Sequence, residues 1–186
     1  MHFQKATCNG VYIAEPTVYR DHRGYFTERF RLDLWEPVIG PVRFLQENES
    51  CSKQGVLRGL HYQIPPYGQA KWIQVVWGAV RDVVVDMRPQ SPTFGQHHVE
   101  ILEDVTKRQL FVPAGFAHGF LALSPQAVVQ YKVDAPYAPD AERTLRFDDP
   151  QLGIEWGLSP ELCILSLKDQ NGLFWKDAMD EILNRM

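Results

Sequence analysis

Arg58, His61 and Gln63 lie within one short stretch, Val56-Leu57-Arg58-Gly59-Leu60-His61-Tyr62-Gln63. The stretch reads as a strand, apolar and aromatic, bounded by Ser52-Lys53-Gln54-Gly55 and Pro65-Pro66-Tyr67-Gly68. A strand that only packed a core would not need a guanidinium beside an imidazole. Burying a neutral polar group without a partner costs roughly 2 kcal/mol or more, and an ion far more. The strand is therefore expected to face a polar cavity. Histidine as a residue type titrates near neutrality and can act as a general base, which makes His61 a candidate. The plainer alternative is a hydrogen-bonded core histidine; Arg58, Gln63 and the flanking glycines favour the chemical one. Residues 58 and 61 have opposite parity in a regular strand, so a bulge or kink at Gly59 is needed for both to point inward.

Other candidates surround this strand in the sequence. Lys71 opens an otherwise apolar run, Lys71-Trp72-Ile73-Gln74-Val75-Val76. It is either a solvated edge charge or a cation aimed at a phosphate or a developing enolate oxygen. His118 sits in Phe116-Ala117-His118-Gly119-Phe120, expected to be an aromatic, glycine-containing turn, with Asp82 or Asp86 as a partner. His97-His98 reads as surface. Tyr131-Lys132, Tyr137, Glu142 and Lys168-Asp169 are polar groups in the second half, each by itself an ordinary surface residue. A carboxylate such as Asp169 could orient His61. The central strand offers a single histidine, a poor ligand set for a transition metal, so no metal and no other cofactor is expected.

The elements that must hold these groups are short. Val11–Ala14, Tyr25–Phe30, Val42–Asn48, Ala70–Trp77, Ala79–Met87, His97–Leu102, Gln109–Val112, Gly119–Leu123, Ala127–Val133 and Thr144–Phe147 all read as strands separated by turn residues. The runs at 70–77 and 79–87 are apolar on both sides and are expected to be covered on both faces. Leu32–Ile39 is expected to form one or two helical turns ended by Gly40-Pro41, and Leu173–Met186 a C-terminal helix. Many strands at even spacing indicate an all-β sandwich or barrel. The 186 residues suit one domain spanning 1–186. A net charge of −4 without a basic cluster argues against nucleic acid as partner. Three widely spaced cysteines, no secretory leader and no stretch of ~20 apolar residues lead to the expectation of a cytoplasmic protein with no membrane association.

Taken together, the motifs resemble the dTDP-4-dehydrorhamnose 3,5-epimerase family of nucleotide-sugar epimerases. The resemblance runs from about Gly10 to Asp169. It is carried by Asp21 through Glu28, Gln46-Glu47-Asn48, Val56 through Gln63, Gln69-Ala70-Lys71, Asp82 through Arg88, Ser91 through Gly95, Phe116 through Phe120, Tyr131-Lys132, Asp149-Pro150 with Ile154-Glu155-Trp156, and Lys168-Asp169. It implies a cupin-like β-barrel (jelly roll) with short peripheral helices, metal-free and usually homodimeric. It implies an isomerase that inverts C3 and C5 of a dTDP-4-keto-6-deoxyhexose, by proton abstraction α to the C4 ketone and reprotonation from the other face. Alternatives are a mono-epimerase working at C3 or C5 only, and a non-catalytic nucleotide-sugar-binding barrel. By resemblance His61 is the base, Asp169 its carboxylate partner, Tyr131 the proton donor and Tyr137 a stacking aromatic. Arg58, Lys71 and His118 match sugar and diphosphate contacts, and Arg23, Glu28, Gln46, Asn48, Glu142 and Lys168 further ligand contacts. The chain departs from the family at Trp156-Gly157, where Trp-Pro is usual, and at Pro136-Tyr137, where Tyr-Tyr is usual.

Overall fold

The computed structural model describes residues 1–184. In chain order the strands are β1 (His2–Lys5), β2 (Tyr12–Glu15), β3 (Val18–Asp21), β4 (Gly24–Thr27), β5 (Gln46–Lys53), β6 (Leu57–Gln63), β7 (Lys71–Trp77) and β8 (Ala79–Asp86). They continue with β9 (His97–Glu103), β10 (Gln109–Val112), β11 (Phe116–Ala122), β12 (Gln126–Val133) and β13 (Glu142–Thr144). The helices are α1 (Leu32–Ile39), α2 (Leu167–Gln170) and α3 (Trp175–Leu183). Two antiparallel sheets form the body, in the orders β1-β2-β10-β7-β12-β5 and β13-β6-β11-β8-β9, and β3 and β4 form a separate hairpin. The fold is an all-β, cupin-like jelly roll.

The side-chain alternation of each strand decides which layer it feeds. Ile73, Val75 and Val129 from the first sheet meet Val80, Val84, Phe116 and Phe120 from the second in the layer between them. On the outer face of the second sheet, Leu57, Leu60, Val83 and Val85 pack beneath Ala178 and Ile182 of α3. On the outer face of the first, Trp72, Ala14 and Phe111 pack against Trp35 of α1. β7 and β8 are thus apolar on both sides because both of their faces are covered.

Several expected boundaries move. Pairing in the fifth strand begins at Gln46, not Val42, because Val42 and Phe44 pack on the Trp35 cluster instead of joining the sheet. The expected strand at Thr144–Phe147 is β13, and it ends at Thr144. The residues around His118 are not a turn. The turn ends at Gly115, which has a positive φ of 87°, and His118 sits inside the fully buried β11. β1, β3 and α2 had no strong sequence signal. The C-terminal helix forms over Trp175–Leu183, its first N–H held by Asp149 at 2.5 Å; residues 185–186 of the expected helix lie outside the described residues.

Candidate active site

β6 and β11 set the geometry. Along β11, His118 pairs with His61 and Phe120 with Arg58, so two steps on one strand match three on the other. The extra residue is a β-bulge at Gly59, as the opposite parity of Arg58 and His61 required. Only glycine fits there. Its φ is +124°, and a Cβ would come within 2.5 Å of the Gly119 Cα.

Past the bulge, His61 and Gln63 face a cavity of about 300 Å³. Gln46, Asn48 and Tyr131 from β5 and β12 line it from the other sheet. Lys71 at the start of β7, Gln69, Tyr62, Tyr137 and Glu142 complete the walls. Most ionisable groups here are held by a partner from another element. His61 Nε2 lies 2.6 Å from Asp169 Oδ1. With Asp169 ionised, Nε2 carries the proton and donates, which leaves Nδ1 to accept. Asp169 Oδ2 accepts from Ser166 Oγ at 2.7 Å, while Ser166 Oγ caps α2 by accepting the Asp169 N–H at 3.2 Å. Burial pushes the Asp169 carboxyl up, but hydrogen bonds from His61 and Ser166, the His61 charge and the Gly59 N–H hold it below the usual carboxylate range.

His118 Nε2 lies 2.9 Å from Asp82 Oδ2, both residues buried. Burial lowers the imidazole pKa, Asp82 raises it in part, and Lys71 and His61 lower it further. The net fall keeps His118 neutral near pH 7. Of the two partners open to it in sequence, Asp82 is the one found; Asp86 instead binds Arg88, Ser91 and Thr93. Lys71 is 9% exposed, and among the described residues its Nζ donates to the His61 carbonyl alone, at 3.5 Å. Burial pushes its pKa down to about 8 despite the attraction of Asp82 and Glu142. Tyr131 is raised by burial and partly relieved by Asn48 and the Arg58 charge, so its hydroxyl stays protonated at neutral pH. Glu142 accepts from Tyr137 Oη at 2.7 Å and meets Lys168 Nζ at 2.5 Å. Burial raises the Glu142 carboxyl, and those two bonds outweigh it.

Not every candidate lies at the cavity. Arg58 does not line the cavity: it is exposed, with Nε on Ser52 Oγ at 3.0 Å and Nη2 on the Cys51 carbonyl at 3.3 Å. Its guanidinium is held against β5 by Ser52 and the Cys51 carbonyl. Arg23 and Glu28 also stand apart. Arg23 pairs with Asp21 in the β3–β4 hairpin, its side chain 79% exposed, and Glu28 lies 3.7 Å from Arg31. His97 and His98 are partly covered on β9, not surface residues; His98 meets Thr7 at 2.9 Å. From the sequence, Ser166 and Gln69 carried no assigned role, and Gln63 stood only as a polar residue of the cavity strand, where the structure places it. Ser166-x-x-Asp169 has capping-box spacing, a signal that was available. Among the described residues, no three His, Cys, Asp or Glu side chains converge to hold a metal ion. Among the same residues no helix is long and apolar enough to cross a membrane.

Comparison with known proteins places the chain in a family. The family model for dTDP-4-dehydrorhamnose 3,5-epimerase matches residues 5–177. A dTDP-4-dehydrorhamnose 3,5-epimerase of Pseudomonas aeruginosa is 46% identical over 90% of this chain and 92% of its own. A dTDP-4-dehydrorhamnose 3-epimerase of Streptomyces niveus is 38% identical over 97% of this chain and 86% of its own. The crystal structure of a dTDP-6-deoxy-D-glucose-3,5-epimerase from Legionella pneumophila, in complex with dTDP-4-keto-L-rhamnose, superposes with a TM-score of 0.87. It is 44% identical and covers 92% of this chain and 90% of that one. The chain belongs to the dTDP-4-dehydrorhamnose 3,5-epimerase family.

Proposed function

We propose that this epimerase inverts C3 and C5 of a dTDP-4-keto-6-deoxyhexose, with His61 as base and Tyr131 as acid. The C–H bonds at both carbons are acidic because each is α to the C4 ketone. His61 Nδ1 takes the proton, and Asp169 stabilises the imidazolium that forms. Lys71, with neutral His118 beside it, holds the enolate oxygen. Tyr131 then returns a proton to the opposite face. The observation that carries this reading is the placement of base and acid on different sheets. His61 with its carboxylate partner is on β6, and Tyr131 is on β12 across the cavity. Inversion requires that separation; a site that only bound the sugar would not. Gln46, Asn48, Glu142 and Lys168 are assigned to ligand contacts, Tyr137 to the ring that packs on the sugar, and Arg58 to the diphosphate at the cavity edge.

Arg23 and Glu28 fit the same assignment in a homodimer, where a second copy lends its hairpin. Tyr19, Tyr25 and Phe26 expose apolar surface on β3 and β4, and a two-stranded hairpin is marginal in water without something packed on it. Three free cysteines accord with the cytoplasm.

The deciding experiment follows solvent deuterium into C3 and C5 by NMR, against product formation. Wild-type enzyme should label both carbons. His61→Ala should abolish exchange at both. Tyr131→Phe should retain exchange while net inversion falls. His61→Ala exchanging at the wild-type rate would remove His61 as base and refute the mechanism.

A further inference from the structure

Gln63 is 6% exposed and lies two residues along β6 from His61, on the same side of the strand. Its amide is fully engaged, and by backbone groups of other segments. Nε2 donates to the Tyr67 carbonyl at 2.5 Å and to the Pro136 carbonyl at 3.4 Å. Oε1 accepts the Ala138 N–H at 2.8 Å. Pro136 and Ala138 are the two chain neighbours of Tyr137. Gln69 adds a bond from Nε2 to the Ala135 carbonyl at 2.7 Å, and Asp134 accepts the Ala70 N–H at the same distance.

The segment so gripped has no strand pairing of its own. It runs between the end of β12 and the short turn of 3-10 helix at Pro139–Ala141. Tyr137 is 54% exposed, and its hydroxyl bonds to Glu142. The ring therefore depends for its position on a backbone that side chains from β6 and the 64–70 loop hold in place. A buried amide satisfied only by loop carbonyls and an N–H is a costly arrangement unless those bonds fix something.

We infer that Gln63 is a positioning residue for Tyr137: an amide clamp, on the strand that carries the base, sets the ring against the bound sugar. The inference rests on the reading that Tyr137 packs on the sugar nucleotide. Its consequence is mechanical. His61 and Gln63 share one strand, so the base and the ring keep a fixed separation, and the sugar between them presents C3 and C5 to His61 in a set proportion. Pro136 suits this arrangement, since its carbonyl accepts the clamp while its ring limits the backbone on the N-terminal side of Tyr137.

The test is Gln63→Met, which keeps length and burial and removes the amide. We expect KM for the keto sugar to rise roughly tenfold and the C3-to-C5 labelling ratio to shift, because small misplacements of a positioning group can cost up to ~100-fold. Affinity for dTDP alone should stay within about twofold, since the clamp acts on the sugar side. In a Tyr137→Ala background Gln63→Met should have no further effect on KM or on the ratio, because the two residues act as one unit. A merely structural role predicts otherwise: lower thermal stability, with KM and ratio as in wild type. If Gln63→Met fails to fold, Gln69→Met, which frees only the Ala135 carbonyl, should shift the ratio in the same direction by less. Wild-type KM and ratio in the folded variants, or effects that multiply fully with Tyr137→Ala, would overturn the inference. Absence of label in the wild-type enzyme would instead overturn the epimerase reading beneath it.

Discussion

Replacing Lys71 by methionine should stabilise the protein and disable it. Met matches the length of the lysine stem and carries no charge. Lys71 is buried, and burial depresses its pKa from 10.5 to about 8. A group whose folded pKa lies below its unfolded value binds fewer protons in the native state between those two values, so stability rises with pH across that window. The penalty is fully present below pH 8 and fades toward pH 10.5. A fall from 10.5 to about 8, at 1.36 kcal/mol per unit, corresponds to about 3 kcal/mol at pH 7 and about 1 kcal/mol at pH 10. Urea unfolding at both pH values should show Lys71→Met more stable than wild type at pH 7 by up to that amount, with the difference shrinking at pH 10. Epimerisation should fall by roughly 10²-fold or more, the scale of losing one donor at a developing oxyanion. Wild-type activity should decline as pH rises through about 8, because only the protonated amine opposes enolate charge. A variant destabilised equally at both pH values would refute the reasoning, since Lys71 would then contribute packing and not a desolvated charge.

Asp169→Asn keeps the shape of the carboxylate and loses its charge, so turnover should fall roughly 10²- to 10⁴-fold while dTDP binding, measured by calorimetry, stays near wild type. Light scattering should give twice the chain mass, and Phe26→Asp in the β3–β4 hairpin should shift the protein toward monomer with loss of activity; a wild-type monomer at working concentration would refute the dimer.

What could be read from the sequence divides by the range of the interaction. β7 and β8 were legible because unbroken apolar runs can arise only when both faces are covered. The bulge at Gly59 was legible because a parity conflict between Arg58 and His61 has few solutions and glycine allows one. The His61–Asp169 pair, 108 residues apart, stood in the residues only as one possible carboxylate partner and was singled out by family resemblance, because no local period links the two. Arg58 was placed wrongly for the opposite reason. Its backbone direction was right, but a long side chain chooses its endpoint by its partners, here Ser52 and Cys51 on β5. The boundary at Val42 failed in the same way, since the pull of the Trp35 cluster on Phe44 is tertiary. Gln63 was read as a sign of polarity and not as a clamp, because its partners are backbone groups, which any sequence would supply.

The stability cost at Lys71 and the bulge at Gly59 share one cause. A jelly roll buries apolar residues between its sheets, and here Ile73, Val75 and Val129 do so on the strands that also carry Lys71 and Tyr131. The site can be polar only where that layer ends, at the start of β7 and the end of β6. There each strand must change what it presents without leaving its sheet. β7 does so by opening on a lysine whose stem continues the apolar face. β6 does so by inserting one residue, so that Leu57 and Leu60 still pack under α3 while His61 and Gln63 turn to the cavity. The charges then need partners that the sheets cannot supply, and they come from segments outside the barrel: Asp169 from α2, Lys168 from the same turn, Tyr137 from the linker after β12. On the proposed assignment, base, acid and cation thus sit on the strands β6, β12 and β7, while the groups that tune and enclose them sit on the added segments. On this division, substitutions in the 134–138 linker should change the proportion of C3 to C5 exchange, while loss of the Asp169 carboxylate from α2 should weaken the base itself and lower turnover.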